Sequence, residues 1–235
     1  MDSSDQAIDG EYDYEDSVLY SDGIPDCGND TNMNLTTRFA AYETHISLRL
    51  QLANGKVKNG KNPEGGNFAT ASDMSMQTYD CGLERAAFNI SSMCQGRSSY
   101  DFSNVGINIA TYDNAADGDD ILRIMHGLMG LWWNTSMQGF PLVNLTPTES
   151  DTGMIPFLQM ANANTTKIGC AYSVCNSNRD RCNLSPSSIV FVCAYGTPRI
   201  QLNNPIYTEG EPCDTCNDTC AYKSFCNRTA SELKC

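Results

Sequence analysis

The segment from residue 155 to residue 175 constrains the fold of this chain more than any other. It reads IPFLQMANANTTKIGCAYSVC. The pattern predicts a short helix that begins near Pro156, because proline is tolerated in a first helical turn. A polar connector follows, and then an apolar strand that carries Cys170 and Cys175. The segment therefore predicts a mixed α and β fold with cysteines on a strand.

The cysteine content indicates the compartment in which the chain folds. There are 12 cysteines among 235 residues, an even number that is concentrated toward the C-terminus. Such a density is typical of proteins from oxidising environments. No run approaches the ~18 consecutive apolar residues that cross a membrane, so no transmembrane segment is predicted. We therefore expect a secreted, extracellular protein.

Glycosylation motifs favour the same location. Asn-x-Ser/Thr is the acceptor motif for N-linked glycans, and nine such motifs in a chain of this size predict a heavily glycosylated surface. The nine acceptors are Asn29, Asn34, Asn89, Asn134, Asn144, Asn164, Asn183, Asn217 and Asn227. Proline directly follows the motifs of Asn144 and Asn183, which makes these two the weakest acceptors.

The distribution of charge excludes one class of partner. The formal net charge is −13, and residues 1–26 hold nine acidic residues and no basic residue, so the remainder of the chain carries −4. No basic stripe exists that would neutralise phosphates, and we therefore exclude nucleic acid as a partner. The acidic segment 1–26 is predicted to be a disordered tail. Its Tyr12, Tyr14 and Tyr20 have acidic neighbours and are possible sulfation sites, although a solvated tail without a specific role is the favoured interpretation.

Hydrophobic periodicity predicts four helices and three strands. Apolar residues recur at spacings of three and four from residue 71 to residue 94, which indicates one apolar helix face. Acidic residues just before residue 121 complement the dipole of the helix that follows. The predicted helices cover 36–53, 71–94, 119–133 and a segment that begins near 156. The predicted strands cover 106–112, 167–175 and 188–196.

The C-terminal segment needs covalent links to be ordered. CDTCNDTCAYKSFCNRTASELKC contains five cysteines and little apolar mass. The spacing of Cys213, Cys216 and Cys220 is compatible with a zinc site, but disulfides are the favoured interpretation in a secreted chain.

Several motifs together resemble one known family. IPFLQM…TTKIGCAYSVC, LANGKVKNGK…YDCGLERAA and PIYTEGEPCDTC are similar to segments of the CAP superfamily, and particularly of nematode venom allergen-like and activation-associated secreted proteins. The resemblance implies an α+β fold, a three-layer α-β-α sandwich with a three-stranded antiparallel sheet and a cysteine-rich C-terminal tail. Together with the changes in composition near residues 26 and 205, it divides the chain into the tail 1–26, a CAP domain at 27–204 and a hinge-like extension at 205–235. It also implies a disulfide between Cys170 and Cys193.

Members of this family often hold zinc with two histidines and two glutamates. The matching positions here are Arg97, Ile107, Thr135 and Pro156, and none of these is a good zinc ligand. We therefore predict no metal and no cofactor. The two histidines of the chain, His45 and His126, lack ligand partners at suitable spacing, and they are predicted to be packed or surface residues.

The chain is predicted to be non-catalytic, because no catalytic motif is visible in it. The resemblance implies a binding protein. Family members hold fatty acids between helices and sterols at an aromatic loop. The residues that could face a fatty acid are Tyr42, Ile46, Leu128 and Trp132, although core packing is the favoured interpretation for any one of them. Tyr100 and Phe102 supply part of the aromatic pattern for sterol.

A second functional hypothesis involves a protein partner. Nematode relatives include integrin antagonists and immune modulators. Beside the hypothesis of a lipid-binding effector, the chain is therefore also interpreted as a ligand or antagonist of a host cell-surface receptor such as an integrin. The acidic tail would favour encounter with a basic host surface. The two hypotheses are compatible.

Overall fold

A computed structural model describes residues 23–61, 66–95, 105–116, 118–176, 187–216 and 219–227. Several sequence predictions fall outside these residues, including most of the acidic tail. The residues concerned are Tyr12, Tyr14, Tyr20, Arg97, Tyr100, Phe102, Asn183 and Asn217.

Four α-helices form close to the predicted positions. They are α1 (Leu35–Ala53), α2 (Cys81–Ser91), α3 (Ile121–Trp133) and α4 (Ile155–Ala161). Asn34, Asp80 and Asp120 each accept a hydrogen bond from a backbone N–H of the first turn of the helix that follows. Such caps satisfy donors that have no partner inside a helix, which explains where these helices begin. Shorter 3-10 helices cover Asn134–Met137, Val143–Leu145 and Glu149–Met154.

The prediction of a helix over 71–94 is wrong for residues 71–80. Backbone N–H groups in this stretch donate to distant carbonyls instead: Ser72 to Thr208 at 2.9 Å and Met76 to Cys226 at 3.1 Å. The segment is therefore extended, and its apolar residues pack in the core without helical periodicity. A helix forms only after Asp80, where the side chain accepts from the Leu83 N–H.

The sheet has one more strand than expected. Its strands are β1 (Thr78–Tyr79), β2 (Gly106–Asp113), β3 (Lys167–Asn176) and β4 (Ser187–Tyr195), in the spatial order β1-β3-β4-β2. The expected three-stranded antiparallel sheet is present and is formed by the pairs β2–β4 and β3–β4, and β1 adds a two-residue parallel edge to β3. A separate hairpin, β5 (Thr219–Ala221) and β6 (Phe225–Asn227), lies in the C-terminal segment.

Helices cover both faces of the sheet, as the sandwich requires. Eight of the nine residues of β4 are buried, which is typical of a strand that is covered on both sides. On one face, Phe191 stacks on Trp132 of α3 with ring centroids 5.4 Å apart. On the other face, the Ser173 hydroxyl of β3 lies 2.9 Å from the Ser91 hydroxyl of α2. The predicted α+β architecture is confirmed.

The two ends of the described chain share the core of the domain. Ile24, Ile206 and Phe225 belong to the same buried cluster as the helices and the sheet. The predicted segments 1–26 and 205–235 therefore each contribute side chains to this core.

Five disulfides fix the described residues, and two of them staple the C-terminal segment. They are Cys27–Cys81, Cys94–Cys175, Cys170–Cys193, Cys213–Cys220 and Cys216–Cys226. The third is the pair that the resemblance implies. The last two show that Cys213, Cys216 and Cys220 are disulfide-bonded. Across the described ranges, no helix combines the length and the apolar composition needed to cross a membrane.

Candidate binding cavity

A cavity of about 730 Å³ opens beside β2, between the end of α3 and the start of α4. Its apolar lining consists of Ile109, Ala110, Leu131, Trp132 and Pro156, and the remaining lining residues are Thr111, Thr135, Gln138, Thr152 and Gly153. Two of the positions that match the family's zinc ligands, Thr135 and Pro156, thus both line this cavity.

Thr135 has a structural role in this wall. Its hydroxyl donates to the Trp132 carbonyl at 2.8 Å and accepts from the Phe157 N–H at 3.2 Å. Phe157 is in the first turn of α4, where backbone donors have no partner within the helix. The Thr135 side chain therefore caps α4 from a neighbouring element, and its oxygen is already committed.

Behind Pro156 lies a chain of buried hydrogen bonds. Asn108 Nδ2 donates to the Pro156 carbonyl at 2.9 Å and to the Tyr195 hydroxyl at 3.1 Å. The Tyr195 hydroxyl lies 3.0 Å from His45 Nε2, and His45 Nδ1 lies 2.7 Å from the Ala41 carbonyl. A carbonyl can only accept, so Nδ1 carries the proton and Nε2 accepts from Tyr195. The network joins β2, β4, α1 and α4.

Burial fixes the protonation states in this network. Desolvation lowers the pKa of His45 to about 4, with Arg49 adding a smaller repulsion of the same sign. Desolvation also raises the pKa of the Tyr195 hydroxyl well above its ordinary value. At neutral pH both side chains are uncharged. His45 is thus a packed residue as predicted, and His126 is exposed on α3.

The residues present do not fit a zinc ion. Proline has no side-chain donor, and the Thr135 hydroxyl already makes two hydrogen bonds. Ile107 is half-buried on β2, pairs with Ala194 and does not line the cavity. Within the part of the chain that the structure describes, no three His, Cys, Asp or Glu residues are grouped as metal ligands.

The four residues predicted to contact a fatty acid have two different surroundings. Trp132 lines the cavity, whereas Tyr42, Ile46 and Leu128 are buried in the core. The Tyr42 hydroxyl donates to the Gln77 carbonyl at 3.0 Å. The cavity therefore shares only Trp132 with the channel that was predicted between α1 and α3.

The seven glycosylation acceptors in the described ranges are all exposed. They are Asn29, Asn34, Asn89, Asn134, Asn144, Asn164 and Asn227. The Asn34 side chain also caps α1, where it accepts from the Thr37 N–H at 2.9 Å. Their exposure is compatible with modification, which stays a prediction.

Sequence reasoning did not single out Asn108 or Tyr195. Both lie on predicted strands, 106–112 and 188–196, and neither matches a zinc-ligand position of the family. A signal was present nonetheless, because Asn108 is a polar residue inside an apolar strand pattern and needs a buried hydrogen-bond partner.

The sequence profile of the cysteine-rich secretory protein family, CAP, matches residues 42–195. The chain belongs to this family. It is a CAP protein of the nematode venom allergen-like type, in agreement with the motif resemblance. The matched range includes all four positions that correspond to the zinc ligands.

Two relatives from different animals show how far the similarity extends. An Ancylostoma secreted protein of Ancylostoma caninum is 28% identical over 197 residues, which cover 81% of this chain and 43% of that protein. A cysteine-rich venom protein of Tityus serrulatus is 25% identical over 189 residues, which cover 78% of this chain and 44% of that protein. The chain thus spans less than half the length of either relative.

Solved structures share the fold. NaASP2, in a crystal structure with Zn²⁺, superposes with a TM-score of 0.71 at 27% identity, covering 87% of this chain and 100% of that chain. Na-ASP-1 gives a TM-score of 0.72 at 25% identity, covering 85% of this chain and 49% of that chain. BmVAL-1 gives a TM-score of 0.70 at 23% identity, covering 85% of this chain and 98% of that chain. This similarity supports the fold alone.

Proposed function

We propose that the chain is a secreted, glycosylated and non-catalytic effector that holds a lipid, a fatty acid or a sterol, in the cavity beside α3 and α4. The observation that carries the proposal is the lining of this cavity. Five apolar side chains stand there, and two of the positions that match family zinc ligands are a threonine and a proline.

The size and composition of the cavity suit a small amphipathic molecule. Ligand sites in proteins typically enclose about 300–1,000 Å³ and combine apolar walls with a few polar groups. Here the volume is about 730 Å³, with Trp132, Leu131 and Ile109 as large apolar walls. An acyl chain gains roughly 0.8 kcal/mol for each CH₂ group that it buries. Gln138 and Thr152 at the lining could bond to a carboxylate or a hydroxyl.

The histidines give no support for catalysis. A general base needs a free nitrogen within reach of its substrate. Both ring nitrogens of His45 are engaged, one with Ala41 and one with Tyr195, and the side chain is fully buried. His126 is exposed on α3, away from the cavity lining.

Gly153 offers a direct test of the site. It lines the cavity, and a Cβ added there meets nothing within 4 Å, so the backbone has room for a side chain, and Gly153→Leu is expected to narrow the cavity. Gly66 is exposed, also has free space for a Cβ, and lies outside the lining, so Gly66→Leu is the matched control. We expect saturable binding of labelled palmitate or cholesterol by the wild type and by Gly66→Leu, and weaker binding by Gly153→Leu. Absence of saturable binding of both lipids to the wild type would remove the proposal.

The alternative function is binding to a host cell-surface receptor such as an integrin, without lipid transport. It is favoured by the nine acidic residues in the first 26, since clustered charge accelerates encounter with a basic surface. Deletion of residues 1–22 separates the two functions. Loss of binding to host cells with unchanged lipid binding would assign the receptor function to the tail.

A further inference from the structure

The chain between Arg123 and Glu149 carries no formally charged side chain. Asp, Glu, Lys and Arg make up 18% of the whole sequence, yet residues 124–148 contain none of them. The same stretch holds four of the seven large hydrophobic side chains that are exposed among the described residues. These four, which we name the apolar rim, are Leu131, Met137, Phe140 and Val143. Scattered exposed apolar residues need no explanation, whereas four in one short uncharged stretch make it a candidate interaction site.

Phe140 is the most exposed member of the apolar rim, at 90%. Its loop is held by backbone hydrogen bonds from a neighbouring segment: the Gly60 N–H donates to the Ser136 carbonyl at 3.0 Å, and the Lys61 N–H donates to the Gly139 carbonyl at 2.9 Å. These bonds fix the chain directly before Phe140.

The chain after Phe140 is fixed as well. The Leu142 N–H donates to Asn59 Oδ1 at 2.7 Å, and Asn59 Nδ2 donates to the Leu142 carbonyl at 3.2 Å. Gly60 has a φ of 87°, and a Cβ there would lie 2.6 Å from the Pro141 nitrogen, so glycine permits this close approach. Phe140 is thus presented outward by a loop that is bonded on both sides.

Lysines occupy the segment that holds this loop. Lys56, Lys58 and Lys61 are all exposed, and none of them forms an ion pair with another described residue. They stand within a few residues of one another in a chain whose net charge is −13. Positive charge therefore lies next to the apolar rim.

We propose that the apolar rim, together with Lys58 and Lys61, docks on a phospholipid bilayer that contains anionic lipid. Transfer of exposed apolar side chains into the boundary between head groups and acyl chains lowers the free energy, and lysines near them are attracted to lipid phosphates. A bilayer of this kind accounts for both the apolar side chains and the exposed lysines. An apolar pocket of a protein partner would account only for the exposed apolar side chains.

Docking in this way brings the cavity to the membrane surface. Leu131 belongs to the apolar rim and also lines the cavity, and Gln138, which follows Met137, lines it as well. A lipid could then pass between the bilayer and the cavity with little exposure to water. The inference goes beyond lipid binding, because docking does not require a lipid in the cavity.

Vesicle flotation with the full chain tests the inference. Phosphatidylcholine vesicles are compared with phosphatidylcholine–phosphatidylserine vesicles at low and high salt. We expect binding to the anionic vesicles that weakens with salt. In Phe140→Asp the binding constant should fall by about tenfold or more, because burial of a phenylalanine side chain contributes at least that factor to the binding constant. Lys58→Glu combined with Lys61→Glu should abolish the salt dependence. The controls Val174→Asp, at a side chain 56% exposed on β3, and Lys223→Glu should bind as the wild type does.

Three results would overturn the inference: no binding of the wild type to either vesicle, equal binding of Phe140→Asp and Val174→Asp, or binding only after enzymatic removal of N-glycans. The last would mean that a glycan, for example at Asn134, covers the apolar rim. Palmitate binding from vesicle-free solution is measured in parallel. If it fails while vesicle docking persists, only the proposed function is removed.

Discussion

Asn108 donates one hydrogen bond to the Pro156 carbonyl, at 2.9 Å, and thereby ties the second strand of the sheet to the start of α4. A second hydrogen bond from the same amide reaches Tyr195. The wall of the cavity that contains Pro156 is thus braced from behind by a neutral network.

The first prediction concerns this brace. Asn108→Asp replaces the donor with a group that can only accept when ionised, and places a carboxylate against a carbonyl inside the core. We expect the free energy of unfolding to fall by about 3 kcal/mol, as for an unpaired buried polar group. Denaturant unfolding measures it. Asn204→Asp, at an exposed position, should change stability by less than about 0.5 kcal/mol, and equal effects of the two substitutions would contradict the assignment.

The second prediction concerns pH. The pKa of His45 is about 4 in the folded chain and 6.5 in the unfolded chain, so below pH 6.5 the unfolded state takes up a proton that the folded state does not. Stability should therefore decrease as pH falls from 6.5 to 4, by about 3 kcal/mol from this group. His45→Gln removes the group, and the difference between the two pH profiles isolates its contribution. Parallel profiles over this window would contradict a buried neutral His45.

The third prediction concerns a buried ion pair. Arg38 Nε lies 2.7 Å from Glu84 Oε2, both side chains are almost fully buried, and this hydrogen bond raises the pKa of Arg38. Glu84→Gln leaves the guanidinium without its counter-charge, and we expect a loss of about 3–5 kcal/mol. The pair Arg85–Asp30 is exposed, so Asp30→Asn should cost less than about 1 kcal/mol. Thermal unfolding of both variants measures the two losses of stability. A loss at Glu84→Gln as small as that at Asp30→Asn would contradict a buried Arg38–Glu84 ion pair.

The fourth prediction concerns α3. Gly127 and Gly130 lie inside this helix, and a Cβ at either position meets nothing within 4 Å. Alanine at each should raise the free energy of unfolding by about 0.5–1 kcal/mol, because glycine loses more conformational freedom in a helix. Differential scanning calorimetry should show a higher Tm for both variants. A lower Tm would mean that these glycines permit a contact that alanine blocks.

The order of elements was accessible from the sequence because hydrophobic spacing and caps report on local structure. The strand that carries Cys170 and the helix that starts after Asp120 are examples. The extended course of residues 71–80 was not accessible, since it depends on partners such as Thr208 and Cys226, which are distant in the sequence.

The site was predictable only as a set of positions. Motif comparison indicated Thr135 and Pro156, and the structure places both at one cavity. Motif comparison could not show that the Thr135 hydroxyl caps α4. Nor could it show that Arg49 is fully buried and donates to the carbonyls of Met160, Asn162 and Ser75. An arginine in a helical pattern suggests a surface residue, and only tertiary structure supplies these three acceptors.

Photoaffinity labelling tests the central claim, lipid binding in this cavity, most directly. A palmitate analogue with a diazirine on its acyl chain is bound, irradiated and mapped by peptide mass spectrometry. The account predicts saturable labelling of peptides that contain Leu131, Trp132 or Pro156, competed by unlabelled palmitate and reduced in Gly153→Leu. Labelling confined to peptides outside the cavity, or labelling that palmitate does not compete, would contradict it.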